Sequence, residues 1–382
     1  MNQRAVLAES SRLIACLAIG VLVVAASSCR EAARPKSIIL ITLDTQRADH
    51  IGAYGAAKAA TPNIDRLARS GIVFRNAYSL IPITLPAHAS LFFSEPPHAA
   101  GSYNNGQKIA AEKSPSSFVN LFQKKGFATA AFVSLGVLAA AFGLDKGFDH
   151  YEDDFPPDRW YLSAGEINER VFPWLEKNAG RPFFLWLHYS DPHDPYAPPD
   201  SPIDFRLFLN ERLVAETSLR KYTLNRFPLD LKPGINRLRV EFESDSEPPP
   251  GRYLGRLDRL EFEPEPGSET YRVDFVSGWH IRQSDRTHFF NNGGLIEIHN
   301  GNRPRRVQIT FRGGPILTRQ KAGAQYRREV EYMDGELGRL WQKLAELNIF
   351  DRSAILLVGD HGEGLGEYRT DFGDPHIGHI HF

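Results

Sequence analysis

From position 37 the sequence opens on a continuous apolar run, SIILITL, the pattern of a strand buried on both faces of a parallel sheet. It ends in Asp44, and in open α/β sheets the carboxyl ends of strands carry the chemistry. Thr61 and Pro62 then start a helix that runs to Ser70 and stops at Gly71. Residues 72–78 read as a returning strand. Another helix is expected over 118–125, with Gly126 as its C-cap, then strands over 128–133 and 183–188. The second of these strands runs into SDPHDPY, whose two prolines forbid continuation of a central strand, so His188, Asp191 and His193 gather at its end.

Helical periodicity disappears over 203–312, where short alternating segments such as FRLFL (205–209) and LRVEF (238–242) are separated by turn signals, Pro248-Pro249-Pro250 among them. Many short strands at close spacing predict a β-sandwich. Helical spacing returns over 326–347, where Val330, Met333, Leu337, Leu340, Trp341 and Leu344 make a core stripe, and 354–358 is a further buried strand. The expected fold is therefore α/β, a doubly wound and mostly parallel sheet interrupted by an inserted β-sandwich domain. Its parts are an α/β stretch over 36–200, the insert over 203–312 and a second α/β stretch over 316–382. No element follows the histidines at 376, 379 and 381, so the chain reads as a fragment.

Composition narrows the class without naming a chemistry. The 382 residues carry a formal net charge of -1, which supplies no basic field for nucleic acid. Residues 1–29 pattern as a targeting segment: Arg4 and Arg12 precede an apolar run over 13–26, and small residues lead to Cys29. Ala-Ser-Ser before that cysteine is the layout of a lipoprotein cleavage site, which predicts an exported, periplasmic or cell-envelope protein held to the membrane by lipid or by an N-terminal anchor. Cys16 and Cys29 are the only cysteines, both in this segment. A disulfide framework, a thiolate metal site and a catalytic cysteine are thereby excluded from the folded part.

Asp44 and the pair Asp360-His361 both follow buried runs, and a turn at PITLPAH (82–88) presents Thr84 between two prolines. Mixed Asp and His ligation suits Zn²⁺ or Mn²⁺ better than Ca²⁺, which prefers all-oxygen shells. A metal against the Thr84 hydroxyl would lower its pKa and make a nucleophile of a poor one.

The segments LDTQRADH (43–50), TPNIDRL (61–67), FRNAY (74–78), TLPAHASL (84–91), DPHDPY (191–196) and DHGEGLGE (360–367) follow one another as in sulfatase-like hydrolases of the alkaline phosphatase superfamily, which this chain resembles. The resemblance implies Asp44, Asp360 and His361 as ligands of one divalent metal, with Thr84 at the nucleophile position on it. Sulfatases place there a Cys or Ser that is converted to formylglycine, in a Cys-x-Pro-x-Arg pattern. Here Thr84 replaces the cysteine and His88 the arginine. Threonine cannot become formylglycine, so direct attack by Thr84 is the implied chemistry, on a phosphate or related ester. His193 matches a histidine on the transferred group or its leaving oxygen, while Asn105 and His379 match substrate-contacting positions. Asp191, His193 and His379 are the candidates for a second metal. The implied substrate is a small-molecule, lipid or glycan ester. Alternatives are a phosphoethanolamine or phosphoglycerol type transferase, a sulfatase without formylglycine, and a degenerate envelope or glycan-binding protein using sandwich aromatics such as Trp279 and Phe289. Oligomeric state is not legible.

Overall fold

The computed structural model describes residues 36–109, 117–157, 159–194, 196–198, 203–219, 223–242, 255–264, 272–281, 288–315, 319–369 and 375–378. The targeting segment with Cys29, and His379, lie outside them.

β1 (Ser37–Leu43) is central, as its uninterrupted apolar run requires. It pairs in parallel with β4 (Phe183–Tyr189) on one side and β13 (Ser353–Gly359) on the other. β2 (Ala128–Phe132) and β3 (His150–Glu152) complete a parallel five-stranded sheet in the order β13-β1-β4-β2-β3. Alternate side chains of β1 enter two different cores. Ile39, Ile41 and Leu43 pack with Ile167, Val171 and Leu175 of α4 (Ala164–Asn178) and Leu337 and Leu340 of α5 (Arg319–Glu346). Leu40 packs on the other face, with Leu85, Ala89 and Phe92 of α2 (Thr84–Phe93), Val119 of α3 (Val119–Lys124) and Trp186. Helices on both faces of a parallel sheet are the doubly wound α/β layout.

α1 (Pro62–Ser70) starts at Thr61 with Pro62 in its first turn and docks Ile64 against the α5 face. Asp334 of α5 holds it there, its carboxylate accepting from the backbone amides of Asn63 (3.1 Å) and Ile64 (2.8 Å). The sequence pattern missed α4. It begins with a capping box in which Ser163 accepts from the Glu166 amide and Glu166 accepts from the Ser163 amide, the reciprocal pair that S-x-x-E encodes.

Two expectations need correction. Residues 72–78 are not a strand: they run as irregular chain with Ile72, Phe74 and Tyr78 more than two-thirds exposed, and no described strand pairs with them. Apolar residues at period two were too weak a signal without a neighbour to pair with. Thr84 is not in a turn either. It is the first residue of α2, and Pro86 sits at the third, where a missing N–H costs nothing.

Eight strands, β5 (Ile203–Leu209) to β12 (Arg305–Pro315), interrupt the α/β chain between β4 and α5. Five pair in the order β6 (Arg212–Leu219), β5, β8 (Gly234–Phe242), β11 (His288–Asn300), β10 (Arg272–Ile281) and three in the order β9 (Gly255–Pro264), β12, β7 (Asn225–Leu231), and the first residues of β11 join the two sets through β9. Alternate residues face inward from both: Phe205, Leu207 and Leu238 from one, Leu229, Ile309 and Phe311 from the other. Phe205 and Phe311 close this core with ring centroids 4.4 Å apart. The insert is thus a β-sandwich with a hydrophobic core of its own.

Candidate active site

The register of three adjacent strands builds the site. Leu43 pairs with Tyr189 and with Gly359, so Asp44, Ser190 and Asp360 leave the sheet at one level. The Asp44 amide donates to the Tyr189 carbonyl at 2.8 Å and the Asp360 amide to the Leu43 carbonyl at 3.3 Å, which fixes the strand ends against each other. Behind Asp44 the chain turns through Thr45, whose φ of 56° is left-handed and strained for a β-branched residue. Three contacts hold that turn: Asp360 Oδ1 accepts from the Thr45 amide (3.1 Å), and the buried Tyr326 hydroxyl donates to the Thr45 carbonyl (2.7 Å) while accepting from the Arg47 amide (2.9 Å).

Thr84 is brought to the same point by α2. Its hydroxyl is fully buried, 3.5 Å from Asp44 Oδ2 and 3.3 Å from His361 Nε2. His361 Nδ1 donates to the Gly362 carbonyl (2.9 Å), which turns Nε2 inward, 3.5 Å from Asp44 Oδ1 and 3.6 Å from Asp360 Oδ2. Asp44 and the adjacent pair Asp360-His361, distant from it in sequence, therefore converge with Thr84 facing them, and the three form a candidate ligand group.

The electrostatics fit a cation. Asp44 Oδ1 and Asp360 Oδ2 are buried with no hydrogen-bond partner among the described residues. Burial, with the charge of Asp44 beside it, pushes Asp360 up to about 8. Burial would raise Asp44 as well, but the imidazoles of His188, His193 and His361 hold it below the ordinary carboxylate range. His361, which burial alone would lower, is raised by the two carboxylates. Two carboxylates that cannot both ionise comfortably, beside an inward imidazole nitrogen, make a site that a divalent ion would neutralise.

The remaining predicted residues fall into different roles. His88 does not reach toward a substrate: it is fully buried, Nδ1 donates to the Thr84 carbonyl (2.7 Å) and Nε2 accepts from the Thr42 hydroxyl (3.0 Å). Burial, with His188 nearby, lowers it to about 3, so it is neutral and serves to hold Thr84 in place. Asn105 lies beside Thr84, its Oδ1 accepting from the Leu85 amide at 2.9 Å and so satisfying one open donor of the α2 N-terminus. His193 is near enough for its charge to act on Asp44, and its Nδ1 donates to the Asp194 carbonyl at 2.6 Å.

Asp191 is not placed as a metal ligand. Its carboxylate accepts from the Tyr161 hydroxyl (3.0 Å) and from the Ala164 amide (3.1 Å to Oδ1, 3.0 Å to Oδ2), tying the end of β4 to the start of α4. Asp191→Ala should strand a buried hydroxyl and a helix N-terminal amide and so cost about 2 to 4 kcal/mol in urea unfolding, with Asp191→Asn losing less. A loss under about 0.5 kcal/mol would contradict the capping role. The residue that sequence reasoning left without a role is His188, fully buried at the same strand end. Its position beside SDPHDPY was the available signal.

This doubly wound fold sets Asp44 and Asp360 at the ends of adjacent strands with the Thr84 hydroxyl at a helix N-terminus beside them, and the family follows from direct comparison. The chain belongs to the sulfatase family, whose model matches residues 36–380. Human N-acetylgalactosamine-6-sulfatase is 31% identical over 344 residues, 87% of this chain and 51% of that protein. Human iduronate 2-sulfatase is 22% identical over 336 residues, 87% of this chain and 56% of that protein. N-acetylglucosamine-6-O-sulfatase of Bacteroides thetaiotaomicron is 25% identical over 187 residues, 44% and 32% of the two chains. The chain spans between about a third and a little over half the length of these relatives. Phosphonate monoester hydrolase of Agrobacterium radiobacter superposes with a TM-score of 0.49 at 15% identity, covering 88% of this chain and 64% of that one.

Proposed function

We propose that this chain carries the catalytic centre of a metal-dependent hydrolase that transfers a phosphoryl or related group from an ester to Thr84 and then to water. The observation that carries the reading is the Thr84 hydroxyl, buried at a helix N-terminus and within 3.5 Å of both Asp44 and His361. Asp44, Asp360 and His361 would hold one ion, Zn²⁺ or Mn²⁺ by their mixed donor set. When bound, such an ion supplies positive charge to an alkoxide and to the oxygens of the transferred group.

The chain's own residues do the rest. Thr84 Oγ forms the new bond as the bond to the leaving oxygen breaks, and Asp44 Oδ2 (3.5 Å) and His361 Nε2 (3.3 Å) are the groups within reach of its proton. The positive end of α2 favours the developing alkoxide. His88 and Asn105, bonded to the carbonyl of Thr84 and the amide of Leu85, keep the first turn rigid, so little reorganisation accompanies attack. His193 is assigned to the leaving oxygen or the transferred group, and Asn105 and His379 to substrate oxygens. A side chain that cannot become formylglycine favours phosphate over sulfate esters. The partner is a small-molecule, lipid or glycan ester.

The test is a hydrolysis panel of aryl phosphate monoester, phosphodiester, phosphonate and sulfate with metal-loaded protein from the full gene. Turnover should be greatest on a phosphorus ester. Preference for the sulfate by tenfold or more would overturn the direct-attack reading.

A further inference from the structure

His188 lies one residue from the end of β4, opposite Thr42 on β1. It is fully buried, and neither of its ring nitrogens is used by anything described so far. Nδ1 is 2.8 Å from Ser134 Oγ, and Ser134 donates its hydroxyl proton to Ser190 Oγ at 2.7 Å. Ser134 thus anchors Nδ1, and the ring turns Nε2 toward Asp44. Nε2 has no hydrogen-bond partner among the described residues and faces Asp44 Oδ2 at 3.6 Å.

A histidine buried only for packing has its polar atoms satisfied, as both nitrogens of His88 are. At His188 a ring nitrogen and a carboxylate oxygen instead face each other at 3.6 Å across a dry gap with no hydrogen bond between them. With bonds of roughly 2.0 to 2.2 Å, two ligands of one ion stand about 3.3 to 3.6 Å apart, the separation found here. Ligand atoms of His188, His88 and Asp360 also lie within 4.8 Å of one another, and Asp360 is the residue this group shares with the separate group of Asp44, Asp360 and His361. The outer partner is in place too, since ligating histidines usually donate their other N–H to an anchoring group, here Ser134.

We infer that His188 Nε2 is a ligand of the metal centre, a second imidazole on the ion held by Asp44, Asp360 and His361. The inference rests on the metal-centre reading above, and the experiment separates the two. The protein from the full gene is loaded with Mn²⁺, and pulsed electron paramagnetic resonance counts the imidazole nitrogens coupled to it. Wild type should show two, while His188→Gln and His188→Ala should each show one. The Mn²⁺ dissociation constant should rise by more than the ten- to hundredfold that loss of an outer partner costs. One coupled imidazole in wild type, unchanged in His188→Gln, overturns the assignment even if affinity falls. Asp360→Asn is the control on the centre itself: wild-type Mn²⁺ affinity in that variant would sink the metal-centre reading, whatever the count at His188. If His188→Ala does not fold, the wild-type count and His188→Gln still decide.

Discussion

Thr84→Ala should lower turnover of the preferred phosphorus ester by on the order of a millionfold while leaving the metal bound, because it removes the attacking atom and none of the ligating carboxylates or imidazoles. Thr84→Ser should keep a measurable part of the rate, since the oxygen survives at the same helix position. The two variants together distinguish chemistry from folding. Both leave the His88 bond to the residue 84 carbonyl intact, because that bond uses backbone. Rapid-quench measurement of a phosphorylated residue 84 in wild type and Thr84→Ser, and its absence in Thr84→Ala, would complete the case. Near-normal turnover by Thr84→Ala would remove the covalent step and leave direct attack by water.

The second large effect is a pH dependence that belongs only to the metal-free protein. Asp360 in the folded chain is pushed up to about 8, whereas an unfolded aspartate titrates near 3.9. Between these values the folded state binds the extra proton, so the free energy of unfolding falls as pH rises. This stabilisation is complete below about pH 4 and is lost through about pH 8, at up to roughly 1.4 kcal/mol per pH unit. Asp44 acts oppositely and in a lower window, since its depressed carboxyl stabilises the fold above its unfolded value and is lost on acidification. Thermal unfolding of chelator-treated protein should therefore show a midpoint that declines from about pH 5 to pH 8. Zn²⁺ or Mn²⁺ should raise the midpoint and flatten the decline, because both carboxylates are then ionised. A flat or rising midpoint without metal would mean that the two carboxylates do not share a buried site.

How much of this was legible in sequence depended on how local the signal was. The run ending at Asp44 announced a central strand and its functional end, since a chain buried on both faces must be apolar throughout. The insert was equally plain, because period-two alternation and turn residues are local. The Thr84 segment misled: two prolines suggest a turn, yet one precedes a helix and the other occupies its first turn, where no amide is required. Asp191 misled for another reason. Beside two histidines it looks like a ligand, but its partners Tyr161 and Ala164 come from a segment about 30 residues earlier, and only the folded arrangement shows the carboxylate capping α4. His188 was hidden by its strand, for its importance lies in what β1 and the Ser134 segment place around it.

The division of the α/β domain by the sandwich bears on how such a protein is made. The Thr45 amide and Asp360, which share a hydrogen bond in the site, are 315 residues apart. A ribosome delivers β1, Thr84 and β4 first, then the whole insert, and only afterwards the remaining ligands. No shorter nascent chain holds the complete ligand set, so competence arrives in one late step. The insert adds little to the thermodynamic cost of that closure, because loop entropy grows only with the logarithm of length. Removing the sandwich would shorten the loop by roughly a third and recover about 0.4 kcal/mol. The gap between β4 and α5 is therefore a place where evolution can add or exchange a whole domain while the distance between Asp44 and the candidate ligands Asp360 and His361 stays the same.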